Sequence, residues 1–328
     1  MRLPKILYLE STNRCNLRCR GCIQYRGSWE PDRDLSLKDV CMITDQLPEM
    51  EQIFLHGIGE PLLNREIFEI IGYLKERDVC VRFNSNGILL NDHRQRGLIR
   101  AGLDELRISL DASSTQGYRK TRNSDNFERI VENLRSFIGL QKRQQVSHPK
   151  LSLWFLGTRE NISELPDFIK LAAAIGIEEA YLQRLVYFQD DKGYGLAKNS
   201  MTLQDSKDEF SALIEQSQDV AARLGIQFTA SGLSQPSASV QGQAAAGLPW
   251  TRCIRPSTLM YITANGNVLP CCISPFSTVA YASIILGNVF KDSLVEIWSG
   301  SRYRHFRKQH QTETPPKCCQ GCGVYWSL

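Results

Sequence analysis

Cys15-Asn-Leu-Arg-Cys19-Arg-Gly-Cys22 places three thiols in a C-x3-C-x2-C spacing, directly after the short apolar run Ile6–Leu9. Thiolates gathered on one loop converge on a soft metal centre more readily than they fill a core. The count of three is informative. A closed structural zinc site takes four ligands, whereas a four-iron cluster held by three cysteines keeps one iron open to an outside ligand. The spacing by itself leaves a zinc knuckle as the alternative.

A second group of thiols stands near the other end. Of eleven cysteines, three lie at 15–22, Cys41 and Cys80 stand alone, and six fall between Cys253 and Cys322. This bimodal distribution predicts two metal sites rather than a disulfide framework. Between Cys253 and Cys271 runs Leu259-Met-Tyr-Ile-Thr-Ala-Asn265-Gly266-Asn-Val-Leu-Pro, a hairpin signal whose Asn-Gly turn takes positive φ at both central residues. Such a hairpin brings Cys253 and Cys271 together. Cys319-Gln-Gly-Cys322 forms a C-x2-C turn after a helix expected over 293–309. Zinc and iron–sulfur both suit two cysteine pairs of this kind. Cys41 and Cys80, in a helix and a strand, read as buried small apolar residues.

The elements that must position these thiols follow a repeating pattern. Strand-like runs at 6–9, 52–56, 79–83, 105–110, 151–156 and 180–186 alternate with helical patterns at 37–47, 65–77, 92–101, 127–143 and 165–175. Gly102, Gly139 and Gly176 fall where helices should stop, and a helix at 205–224 with a weak strand at 226–229 closes this part. Six βα units imply a parallel sheet with right-handed crossovers, either open and doubly wound or curved into a partial barrel. Residues 231–249 are small and polar and read as a linker or mobile loop between a unit at 1–230 and a second at 250–328.

Composition excludes several classes. At 328 residues, with 42% hydrophobic and 23% charged content, the chain is an ordinary globular enzyme in size and make-up. A net charge of +4 is not that of a dedicated nucleic-acid binder. No run reaches the length of a membrane span and no signal peptide opens the chain, so a cytoplasmic location is expected.

The C-x3-C-x2-C loop, with His56-Gly-Ile-Gly59-Glu60-Pro61 one βα unit later, resembles the signature of radical S-adenosylmethionine (SAM) enzymes. The resemblance implies a TIM-like partial (β/α)6 barrel with the active site at the strands' C-terminal ends. It also implies that Cys15, Cys19 and Cys22 hold a [4Fe-4S] cluster whose open iron chelates SAM. In that family a Gly-Gly-Glu-Pro segment holds the SAM amino group; here Ile58 replaces its first glycine, so Gly59 and Glu60 are carried over. Ser109 at the fourth strand end, Arg122 in Tyr118-Arg-Lys-Thr-Arg122, and Asn161 in Gly157-Thr-Arg-Glu-Asn161 are the further SAM contacts the resemblance suggests.

The C-terminal cysteines resemble the SPASM/Twitch extension of these enzymes, a small α+β domain containing the hairpin. The chain ends six residues after Cys322, which matches the shorter Twitch form. Cys253, Cys271, Cys319 and Cys322 would then hold one auxiliary [4Fe-4S] cluster, with Cys272 or Cys318 able to replace a neighbour. The implied activity is reductive cleavage of SAM to a 5′-deoxyadenosyl radical and removal of a substrate hydrogen atom. The auxiliary cluster then oxidises the substrate radical, as in relatives that dehydrogenate an aminocyclitol in natural-product or cofactor biosynthesis. A thioether, C–C crosslink or epimer on a peptide is the alternative, and only 14 residues before Cys15 weigh against leader-peptide binding in cis. A non-catalytic iron–sulfur or zinc protein is the alternative of another class. The partners implied are a small-molecule or peptide substrate and an electron donor such as flavodoxin or ferredoxin. Trp154, Gln183, Arg184 and Tyr187 are candidate pocket residues, and no general acid or base emerges.

Overall fold

The computed structural model describes residues 3–23, 29–185, 201, 203, 207–231, 236–237, 248–278, 280–320 and 322. Tyr187 and most of the expected linker at 231–249 lie outside the described residues. Seven parallel strands run in chain order: β1 Ile6–Leu9, β2 Gln52–Phe54, β3 Cys80–Ser85, β4 Glu105–Ser109, β5 Lys150–Gly157, β6 Glu179–Arg184 and β7 Gln227–Ala230. A doubly wound sheet needs a reversal in strand order to put helices on both faces. This order has none, so right-handed crossovers place every helix on one face and the sheet curls into a partial barrel.

The helices between the strands are α1 Leu37–Thr44, α2 Ile67–Lys75, α3 Asp92–Ala101, α4 Thr115–Arg122, α5 Phe127–Gln144, α6 Leu165–Ile175 and α7 Lys207–Leu224. Ser36 and Asp39 form a capping box at α1. Gly102 (φ 77°) and Gly176 (φ 93°) end α3 and α6 in the left-handed region. Gly139 does not stop α5, which continues to a left-handed Gln145. Helix α4 lacks an apolar stripe, with Gly117 and Tyr118 its buried residues, and hydrophobic periodicity passed over it.

Alternation along the strands sorts the two faces. Leu7, Ile53, Val81, Phe83, Leu106, Ile108, Leu153, Phe155 and Leu182 are buried against the helices, each such burial contributing roughly 1.5–3 kcal/mol. The opposite parity, Tyr8, Asn84, Arg107, Ser109, Trp154, Tyr181 and Gln183, faces a cavity inside the curl.

The C-terminal region continues the same sheet. Strand β8 (Leu259–Ile262) pairs in parallel with β1, while β9 (Asn267–Leu269) and β10 (Gly287–Asn288) add antiparallel strands beyond it. The hairpin turn spans Thr263–Gly266, and Gly266 (φ 81°) takes positive φ while Asn265 does not, so the turn is longer than the two-residue form expected. Gly266 packs against Phe290, which a Cβ there would strike at 2.3 Å. Helices α8 (Arg255–Thr258), α9 (Leu294–Ser299), α10 (Ser301–His310) and α11 (Lys317–Gln320) complete the region. The single helix expected over 293–309 is broken at Gly300, whose extended ψ of 163° ends α9 and starts α10. Cys41 and Cys80 are only half-buried, against expectation.

Candidate active site

The cysteine loop leaves β1 through a buried polar run, Glu10 to Asn13, each residue almost wholly enclosed. Thr12 donates to Asp34 at 2.6 Å, and Arg14 Nε donates to the same carboxylate at 2.9 Å. The Asn13 side chain donates to the Pro31 carbonyl and accepts from the Arg33 amide, both at 2.8 Å. The loop base is thus pinned to residues 31–34. Cys22 N–H donates to the Cys19 carbonyl at 3.0 Å, closing the turn that carries the last two thiols. Cys15, Cys19 and Cys22 all line one cavity of about 490 Å³. Burial pushes the Cys15 thiol up to about 12, so the thiolate needs a nearby positive charge to form.

The Gly57–Pro61 loop locks onto this one. A Cβ on Gly59 would stand 2.0 Å from the Thr12 carbonyl oxygen and 2.8 Å from that of Arg14, so glycine lets the two loops touch. Glu60 N–H donates to the Arg14 carbonyl at 2.8 Å. The Glu60 carboxylate is buried and accepts from Ser85 Oγ at 2.8 Å, Asn86 N–H at 2.7 Å and Leu62 N–H at 3.2 Å. Burial raises its pKa and those hydrogen bonds pull it back. With about four acceptor positions, the carboxylate keeps one for a ligand cation. Asn86 Nδ2 also donates to Asn16 Oδ1 at 2.8 Å, joining the end of β3 to the cysteine loop.

The other sequence candidates divide. Ser109 lines the cavity with the thiols and Glu60. Arg122 does too, but its guanidinium is engaged, with Asp111 at 2.5 Å and Cys19 Sγ at 3.8 Å. Asn161 is not brought into the cavity. It accepts from Thr158 N–H and Oγ1 and donates to the carbonyls of Asp111 and Leu156, which uses both its donors and both its acceptor positions. Trp154, Gln183 and Arg184 all line the cavity, Trp154 stacked on Tyr181 with ring centres 4.1 Å apart. His56 accepts the Asn84 N–H on Nδ1 at 3.3 Å, and burial with Arg107 nearby drives its pKa down to about 3, so it faces the cavity uncharged.

Sequence reasoning missed Asp111, Asn84 and Arg255. Asp111 was visible as one half of a strand-end Ser/Asp pair. Arg255 carries no local signal, because its place depends on β8 joining β1.

The C-terminal thiols gather around a second cavity. Cys253, Cys271, Cys319 and Cys322 line it together with Cys318. Cys272 faces the other way, into the first cavity, where Arg255 donates to its sulfur at 3.5 Å. Arg255 and Ile273 line both cavities and form the wall between them. Among the described residues no three donors stand as close as a single ion requires. A cluster does not require that closeness, because its ligands sit on separate irons.

The residues present fit these groups. Three thiols on a pinned loop beside a cavity suit a cluster with one open position, and four thiols around the second cavity suit a closed one. Asn84 Oδ1 is buried at the first cavity without a hydrogen-bond partner, an acceptor waiting for a donor.

Comparison with known proteins agrees. The radical SAM superfamily model matches residues 9–172, and that of an iron–sulfur cluster-binding domain, SPASM, matches residues 253–323. The chain belongs to the radical SAM superfamily and carries a C-terminal SPASM domain. Its cofactors are SAM, a [4Fe-4S] cluster and auxiliary iron–sulfur. It is similar to the tungsten-containing aldehyde ferredoxin oxidoreductase cofactor-modifying protein of Pyrococcus furiosus, 23% identical across 96% of this chain and 86% of that protein. The PqqA peptide cyclase of Granulibacter bethesdensis is 23% identical, over 97% of this chain and 79% of the cyclase. The fold matches that of Streptococcus suis SuiB bound to S-adenosylmethionine, with a TM-score of 0.73 at 17% identity, over 99% of this chain and 72% of SuiB.

Proposed function

We propose that this radical SAM enzyme carries out a net two-electron oxidation of its substrate, with the second electron leaving towards the auxiliary site. The observation that carries this reading is the shared wall, since Arg255 and Ile273 alone of the chain's side chains border both cavities among the described residues. When bound and reduced, cluster and SAM supply a carbon radical that takes a hydrogen atom from an unactivated C–H, and an auxiliary cluster supplies a one-electron acceptor. The chain's part is placement. Cys15, Cys19 and Cys22 hold the first cluster on a loop fixed by Asp34 and Gly59. Glu60, Asn84 and Ser109 offer acceptors and a hydroxyl to SAM, and Arg122 offers it what remains of its donors. Trp154 and Tyr181 present an apolar face to the substrate. Cys253, Cys271, Cys319 and Cys322 hold the acceptor cluster. A net oxidation then balances as one hydrogen atom, one proton and one electron lost by the substrate.

The match to a peptide cyclase over nearly the whole chain favours a second reading, in which the substrate is a peptide and the oxidation closes a crosslink. The two readings share the same electron balance; epimerisation would not. Flavodoxin or ferredoxin is proposed as electron donor. A cytoplasmic location suits a chain none of whose described cysteines is in a disulfide; no described helix is long and apolar enough to cross a membrane.

The test is anaerobic reconstitution followed by dithionite and SAM. Formation of 5′-deoxyadenosine is expected, with about eight irons per chain. Protein with a filled N-terminal cluster and no such product would sink the reading. Cys253→Ala/Cys271→Ala is expected to hold about four irons and to form 5′-deoxyadenosine still, while losing the oxidised product.

A further inference from the structure

The substrate cavity holds four arginines and one carboxylate, Glu60, which three donors already occupy. Arg107 is chelated by Glu105 at 2.7 and 3.0 Å, and lies over the rings of Trp154 and Phe54. Arg122 is paired with Asp111. Arg255 faces the thiol of Cys272. Arg184 is different. All three of its guanidinium nitrogens are buried and have no hydrogen-bond partner, and no counter-charge stands beside it among the described residues. Its backbone is fixed, since Arg184 N–H donates to Ser231 Oγ at 3.2 Å, and the same oxygen is bonded to Tyr181 OH.

Removing a guanidinium from water without a partner is costly, and folded proteins keep such groups only where something else neutralises them. Burial lowers the Arg184 pKa to about 10, which leaves it charged at neutral pH. Its fork of parallel N–H groups matches an oxyanion in two-point contact. Resting on the reading that this cavity takes the substrate, we propose that Arg184 binds an anionic group of the substrate, a carboxylate or a phosphate, and so fixes which C–H faces the radical. SAM's own carboxylate is a separate matter. The cysteine loop that follows β1 would hold SAM, and there Arg122 touches Cys19, whereas Arg184 ends β6 on the far flank of the sheet.

The test uses the holoenzyme loaded with SAM and titrated calorimetrically with glutarate, its uncharged analogue glutaramide, and inorganic phosphate. At least tenfold tighter binding of one of the anions than of glutaramide is expected, and whichever anion binds tells a carboxylate from a phosphate substrate. Arg184→Gln is expected to abolish that preference and Arg184→Lys to keep part of it. Without added anion, Arg184→Gln is expected to melt no lower than the parent, because it removes an uncompensated buried charge. Three results each overturn the proposal: no preference for either anion, a preference that survives Arg184→Gln, or a melting temperature several degrees lower in that variant. A tenfold loss of SAM affinity in Arg184→Gln would also overturn it, by assigning the arginine to SAM. None of these readouts needs turnover, so they stand apart from 5′-deoxyadenosine formation.

Discussion

Arg122 and Asp111 form a buried ion pair, Nη2 to Oδ2 at 2.5 Å, at the mouth of the barrel. Asp111 sits at a left-handed φ of 59° just past β4 and also accepts the Leu156 N–H at 2.8 Å, so one carboxylate ties β4 to β5 and both to α4. Burial works against the charge on Arg122, and Asp111, helped by Cys19 and Tyr118, more than restores it. The arginine carried over as a SAM contact is thus first a structural cation, with only part of its donor set left over. Arg122→Gln leaves the carboxylate buried without its counter-charge, and should cost about 3–5 kcal/mol in anaerobic guanidinium unfolding. Asp111→Asn/Arg122→Gln should recover a large part of that loss. Additive losses in the double variant would show that the pair is not coupled.

Gly59 is constrained by the cysteine loop itself, since the Thr12 carbonyl oxygen occupies the place of a Cβ. Neither backbone can yield without moving Cys15. Gly59→Ala should therefore displace the N-terminal cluster, lowering iron from about eight to about four per chain while the auxiliary site stays filled. Full iron content in that variant would refute the coupling.

Local patterns located these parts, and long-range pairing arranged them. The apolar strands and the i, i+3, i+4 stripe of α5 are written in adjacent residues, so the parallel repeat was legible from Ile6 to Ile175. Helix α4 has no such stripe and is held by a Ser114 cap and one buried tyrosine, Tyr118. The pairing of β8 with β1 joins residues about 250 positions apart, and no periodicity encodes it. That pairing is what sets Arg255 between the two thiol cavities. Asn161 shows the opposite failure: a motif position predicts a ligand contact, and the local turn at Thr158 consumes its side chain.

Adjacent cysteines in the C-terminal group have separate duties. Cys271 lines the cavity shared with Cys253, Cys319 and Cys322, while Cys272 turns into the cavity lined by Cys15, Cys19 and Cys22, beside Arg255. Cys271→Ala should remove about four irons, and Cys272→Ala should leave iron content unchanged. Equal losses in the two variants would mean that the thiols exchange roles, and iron analysis with the visible spectrum reads this directly.

Glu10 couples the Gly57–Pro61 loop to the hairpin and should make stability depend on pH. Its fully buried carboxylate accepts the Ile58 N–H at 2.6 Å and the Ala264 N–H at 3.2 Å, bridging the loop after β2 and the turn after β8. Burial drives its pKa from an ordinary 4.5 up to about 7; the two amides pull it down, and the charge on Glu30 pushes it up again. The native state therefore holds a proton that the unfolded chain releases near 4.5. Stability from this group is complete below about pH 4.5, declines as pH rises, and is lost above about pH 7. The span corresponds to roughly 3 kcal/mol. Glu10→Gln keeps an acceptor for one amide and cannot ionise, so its unfolding midpoint should vary less than the parent's between pH 5 and about pH 8. Parallel pH profiles for parent and variant would place the titration on another group.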